Sequence, residues 1–141
     1  MDIFIQPSET GLKRLLNESQ LISLDLTPEH LRHFFGLGTI EELEGVVGLE
    51  LFGTVALLRS LAVVSSRRKA GLGSKLVAHA EEYARNKGIK TLYLLTNTAE
   101  SFFKHRGYQS TARDDAPAAI RQTREFSELC PVSSAFMLKH L

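Results

Sequence analysis

Arg67, Arg68 and Lys69 stand immediately before Ala70-Gly71-Leu72-Gly73, and no acidic residue lies between Arg59 and Lys75. Residues of these types at a strand-to-helix turn make an anion site. The first turn of a helix leaves backbone amides unpaired and the helix dipole adds partial positive charge there, so main-chain donors can hold a phosphate. Gly71 and Gly73 remove side chains where the backbone must come close to such a ligand, and either can supply a positive φ. Two familiar phosphate loops do not fit. Gly71-Leu72-Gly73-Ser74-Lys75 lacks the spaced Gly-Lys-Ser/Thr ending. A dinucleotide fingerprint wants a small residue where Leu76 stands, an acid after the following strand and a repeating βα pattern. A solvated basic turn accounts for the charge but not for the glycines.

The turn needs a strand before it and a helix after it, and the sequence predicts both. Val55 to Val64 reads as a strand. Leu72, Leu76, Val77, Ala80 and Ala84 recur at three- and four-residue steps, an amphipathic helix that Gly88 ends. Thr91 to Thr96 is a near-continuous apolar run of strand length, placed inside a sheet with both faces covered. Upstream, Ile3 to Ile5 reads as a strand, and Ser8 caps a helix carrying Leu12, Leu15 and Leu16. Thr27-Pro28 predicts a second helix through Leu31, Phe34 and Phe35, stopped by Gly36 and Gly38. From Ile40 to Val64 antiparallel strands are expected, with turns near Gly45 and Gly53. A helix over Ala99 to Phe103, a strand after Gly107-Tyr108, a short helix around Ala118 to Thr123 and a last strand near Ala135 to Lys139 complete the reading.

The chain has 141 residues, 43% of them hydrophobic, which fits one domain, residues 1–141, around one core. The 17 Lys plus Arg nearly balance 16 Asp plus Glu, so a globally basic nucleic-acid binder is not expected and any electrostatic partner is met locally. No apolar stretch approaches the roughly 20 residues of a membrane span. A single cysteine, Cys130, and the absence of a leader-like N-terminus point to the cytoplasm.

Arg68-x-x-Gly71-x-Gly73 between a strand and a helix resembles the diphosphate-binding signature of the GCN5-related N-acetyltransferases (GNAT). The resemblance extends through Leu61-Ala62-Val63, Leu92 to Thr96, Asn97-x-Ala99, Phe103 and Gly107-Tyr108, and so covers Gly45 to Tyr108. More narrowly, Leu58-Arg59-Ser60-Leu61, Leu94-Leu95-Thr96, Ala116-Pro117, Glu125-Phe126 and Leu129-Cys130-Pro131 resemble acetyltransferases associated with arsenic resistance, and more distantly N-acetylglutamate synthases. The resemblance implies an α/β (α+β) fold. Its sheet is mixed and mostly antiparallel, with six or seven strands flanked by helices and two splayed parallel strands at the centre.

It also implies acetyl-CoA as co-substrate, without a metal, and a small amine as acceptor, an amino acid or amino-acid-like toxin whose amine attacks the thioester directly in a ternary complex. Backbone groups of Leu61, Ala62 and Val63 would pair with the pantetheine arm. Arg68 and the amides of Lys69, Ala70, Gly71, Leu72, Gly73 and Ser74 would hold the pyrophosphate, with Asn97, Phe102 and Phe103 beside the arm. The amide of Leu61 or Ala62 would stabilise the oxyanion. Glu50 is the candidate base. Many members protonate the departing thiolate with a tyrosine four residues after the alanine matched by Ala99; here Phe103 stands there, leaving Tyr108, Ser60, water or unassisted departure.

An arginine inside an apolar strand is costly unless paired, so Arg59 is read either as a clamp for a substrate carboxylate or as the partner of Glu50 or another acid, or as an edge charge. Ser60, Arg113 and Arg124 are placed around the same ligand. His30 and His33 lack the further ligands of a metal site, and Cys130 is read as a packed thiol or a site for thiophilic arsenic. Two other functions fit the same motif: a non-catalytic acetyl-CoA sensor or partner module, favoured by Phe103, and a protein or peptide N-acetyltransferase. A homodimer exchanging the tail beyond Tyr108 is compatible with the sequence.

Overall fold

A computed structural model describes residues 3–19, 21, 25–39, 42–64, 71–124, 126–127 and 134–141. The first strand, β1 (Ile3–Ile5), leads into helix α1 (Glu9–Glu18), which begins where the Ser8 side chain accepts the Gly11 N–H at 3.1 Å. Leu12, Leu15 and Leu16 lie fully inside the protein at helical spacing. Burying each contributes roughly 2 kcal/mol, against a few tenths for the exposed Lys13–Glu9 pair, so packing holds this helix in place.

The helix expected after Thr27-Pro28 does not form. One 3-10 turn, His30–His33, runs directly into strand β2 (Phe34–Gly38). Phe34 packs with the leucines of α1 on one sheet face and Phe35 in the cluster on the other, so consecutive aromatics serve opposite faces as only a strand allows. The turn expected at Gly45 is absent too. Gly45 lies inside β3 (Leu43–Phe52), paired with Leu37 on one side and Val63 on the other. These glycines serve close approach: a Cβ on Gly45 would sit 3.0 Å from Leu76, and one on Gly48 would strike the Phe34 ring at 2.3 Å.

Gly53 does make the expected turn, at φ 64, between Phe52 and Val55, which begins β4 (Val55–Val63). Helix α2 (Leu72–Asn86) buries Leu72, Leu76, Val77, Ala80 and Ala84. Strand β5 (Thr91–Thr96), helix α3 (Glu100–Lys104), the short β6 (Gln109–Ser110), helix α4 (Ala118–Arg121) and β7 (Ala135–His140) follow. The sheet has seven strands in the order β1-β2-β3-β4-β5-β7-β6. Among the described residues only β4 and β5 run parallel, and the other neighbouring pairs are antiparallel. This is the mixed sheet with a central parallel pair that the resemblance implied. β5 lies inside it as expected, Leu92 and Leu94 facing the α2 cluster and Tyr93 packing with Ile120 and Phe136. Among the described residues no helix is long and apolar enough to cross a membrane.

Candidate active site

The parallel strands pair only at Val55–Thr91, Ala56–Leu92 and Leu57–Tyr93. Beyond that point they part, and a cavity of about 550 Å³ opens between residues 58–63 and 94–99, with Phe103 and Ser134 on its wall. Among the described residues β5 pairs with β4 no further than Leu57, so an extended ligand can add beside Leu58 to Ala62 as a strand would. Inside the opening β4 bulges. Gly48 pairs with Arg59 and Val46 with Ala62, which sets Ser60 and Leu61 together opposite Val47. Ser60 takes φ 61, a left-handed conformation that costs a non-glycine residue roughly 1–2 kcal/mol.

At one side of the opening is the start of α2. Residues 65–70 lie outside the described residues, Arg67, Arg68, Lys69 and Ala70 among them. Gly71 is described: it holds φ 76 at the helix N-cap with open space where a Cβ would stand, and the first turn carries no acid. The vacant space and the unpaired amides behind it fit a phosphate group. Phe102 packs against Gly73, whose Cβ would lie 3.4 Å from its ring. Arg106, which sequence reasoning missed, lies over that ring at 4.1 Å and donates to Ser74 Oγ at 2.9 Å. It stands four residues after Phe102, in the turn that follows α3. Asn97 lines the opening and accepts the Ser134 hydroxyl at 2.6 Å.

A second cavity, of about 350 Å³, is bordered by Asp25, His30, Glu50, Phe52, Ala119 and residues 122–124. Arg59 reaches from the first cavity toward the second. Its fully buried guanidinium donates to both oxygens of Asp25, to Glu50 Oε2 at 2.9 Å and, through Nε, to Ser60 Oγ at 3.0 Å. Of the readings open for Arg59, the carboxylates that pair it here belong to the protein. Burial pushes the Asp25 carboxyl up, but the Arg59 hydrogen bonds and charge outweigh it and hold the group below its ordinary 3.8.

Asp25 binds the arginine with two bonds, leaving Glu50 with one of its oxygens turned to His30 Nε2 at 3.5 Å. The Thr27 backbone N–H donates to His30 Nδ1 at 3.0 Å, which assigns the ring proton to Nε2, facing Glu50. Ligand atoms of Asp25, His30 and Glu50 lie within 4.8 Å of one another, close enough to share a cation. Arg59 already sits on both carboxylates as that cation. Asp25 escaped the sequence reading, where His30 was weighed only as a metal ligand; an acid between two leucines, Leu24 and Leu26, was the counterpart of an arginine in an apolar strand.

The structure thus brings Glu50, Arg59, Ser60 and Arg124 to one region. Arg113 borders neither cavity and lies over the Phe126 ring at 5.0 Å. His33 turns away from His30, its Nδ1 3.1 Å from the Tyr83 hydroxyl. Tyr108 is buried and donates to Glu81 at 2.9 Å, and burial together with the Glu81 charge pushes its phenol far above the ordinary value. Cys130 lies outside the described residues.

The sequence profile of the acetyltransferase (GNAT) family matches residues 4–108, and the chain belongs to that family. It is 40% identical over 62 residues to an amino-acid acetyltransferase of Pseudomonas paraeruginosa, covering 44% of this chain and 14% of that protein. It is 30% identical over 121 residues to an amino-acid acetyltransferase of Neisseria meningitidis, covering 82% of this chain and 28% of the other. The chain therefore spans less than a third of the length of these relatives. Among solved structures, N-acetylglutamate synthase from Neisseria gonorrhoeae, complexed with coenzyme A and N-acetyl-glutamate, superposes with a TM-score of 0.81 at 25% identity, over 99% of this chain and 35% of that one.

Proposed function

We propose that this chain, residues 1–141 acting as one domain, transfers the acetyl group of acetyl-CoA to the amine of an amino acid or an amino-acid-like molecule. The observation that carries this reading is the meeting of two cavities at one ion cluster: Arg59 lines the larger, Glu50 borders the smaller, and the two are bonded to each other. The larger cavity suits a thioester carrier, its arm along Leu61 to Val63 and its phosphates at the start of α2 from Gly71 to Ser74. The acceptor fits the smaller.

The step is acyl transfer by direct attack. A neutral amine forms a bond to the thioester carbon, the carbonyl oxygen takes the displaced electron pair, and the amide of Leu61 or Ala62 stabilises it. Glu50 receives the nitrogen's proton. With Asp25 occupying Arg59, the residue for a substrate carboxylate is Arg124, which borders the acceptor cavity. Coenzyme-dependent thiol release across a panel of amino acids tests the reading: turnover on at least one is expected. Phe103 in place of the usual tyrosine favours one second reading, a non-catalytic sensor; acetyl-CoA binding without turnover on any amine would establish it. Turnover on peptides alone would make the protein a peptide N-acetyltransferase instead.

A further inference from the structure

We infer that Ser60 is the hydrogen-bond donor that stabilises the departing thiolate, a proposal that rests on the acyl-transfer reading. Phe103 carries no proton to give, and the Tyr108 hydroxyl is committed to Glu81 inside the core. Ser134 on the cleft wall spends its proton on Asn97. Ser60 lines the cleft next to the proposed oxyanion donors. An arginine Nε–H can only donate, so Ser60 Oγ is the acceptor in its 3.0 Å bond with Arg59, and its own proton is left to point elsewhere. Among the described residues that proton makes no hydrogen bond.

The backbone points the same way. Ser60 holds a left-handed φ of 61 at the bulge where the sheet opens, a position where glycine would be at ease. What serine supplies over glycine at this strained position is its hydroxyl. Its neighbours in the chain, Leu61 and Ala62, are the proposed oxyanion donors, and the thioester sulfur is one bond from the carbon whose oxygen they would hold. The hydroxyl therefore stands beside the leaving group.

The chemistry limits what Ser60 can do. When the tetrahedral species collapses, the C–S bond breaks and its electron pair leaves on sulfur. A thiol has a pKa of about 8.5, far below an aliphatic alcohol, so transfer of the serine proton to sulfur would run uphill. Ser60 keeps its proton and donates a hydrogen bond to the thiolate, with Arg59 polarising the hydroxyl from behind. The proton lost by nitrogen passes through Glu50 to water, and the thiolate takes its proton from water, so the products are the amide and the thiol.

Two variants separate the hydroxyl from the backbone strain. Ser60→Ala removes the hydroxyl and keeps the strain; Ser60→Gly removes both. Steady-state thiol release, acetyl-CoA binding by calorimetry and thermal melting are measured on the full chain for each. Both variants are expected to lose kcat by roughly 10- to 100-fold, the range for a hydrogen bond to a charged group, with the acetyl-CoA Kd within about twofold of wild type. Ser60→Gly is expected to melt no lower than Ser60→Ala. Either variant turning over within about twofold of wild type overturns the proposal, as does a fall in kcat matched by equal weakening of coenzyme binding. Absence of turnover in the wild-type protein on every amine overturns the acyl-transfer reading, and this proposal with it.

Discussion

Arg59 Nη1 donates to Glu50 Oε2 at 2.9 Å across the β3–β4 hairpin, and this bond lies between the coenzyme-sized cavity and the smaller one. Asp25 takes the same guanidinium with both its oxygens. Among the described residues Arg59 is shared by two carboxylates, and Glu50, held by one bond, is the one that borders the smaller cavity.

Breaking this cluster is expected to cost the fold dearly. Arg59→Met leaves Asp25 buried without its partner, and a loss of roughly 3–5 kcal/mol in urea unfolding is expected; adding Asp25→Leu restores part of it. Because Asp25 has a lower pKa folded than unfolded, its contribution is present above about pH 4 and is lost as the pH falls through the folded value. Asp25→Asn should flatten the stability curve between about pH 5 and pH 2. An unchanged acid limb would remove Asp25 from the cluster.

Glu50→Gln keeps an oxygen to accept from Arg59 and removes the base. The variant should melt near wild type and lose about 100-fold in kcat. Full activity would show that the amine loses its proton to another group.

Arg124→Ala tests acceptor recognition. KM for an amino acid should rise at least about tenfold, while KM for the matching amine without a carboxylate stays within about twofold, since only the former presents an anion for the guanidinium. Equal changes in both would contradict the assignment.

Gly71→Asp places bulk and negative charge in the open space at the α2 N-cap, at φ 76. Acetyl-CoA affinity measured by calorimetry should fall at least about 100-fold, because the added carboxylate repels the phosphate and takes the positive end of the helix for itself. Gly71→Ala, which adds only a methyl group, should lose less affinity and pay mainly in stability.

The strand before Gly71 and the helix after it were legible in the sequence because their signals are local: a run of strand formers, then periodic leucines and valines after a glycine. Phe34 and Phe35 misled for the opposite reason. After a good helix start at Thr27-Pro28 nothing local says that these aromatics will be pulled to opposite sheet faces by α1 and α2. Gly45 looked like a turn because close packing against Leu76 leaves the same mark as a change of direction. The Asp25–Arg59–Glu50 cluster joins residues far apart in sequence, so Arg59 announced that it needed a partner without naming Asp25. Arg106 was hidden in a polar stretch until folding laid it on Phe102 and Ser74.

The most direct measurement is a crystal structure of the full chain grown with acetyl-CoA. The account predicts pyrophosphate oxygens within hydrogen-bond distance of the amides of Gly71 to Ser74 and the pantetheine arm running along β4 at Leu61 to Val63. Acetyl-CoA bound elsewhere, with those amides and that strand edge untouched, would contradict it.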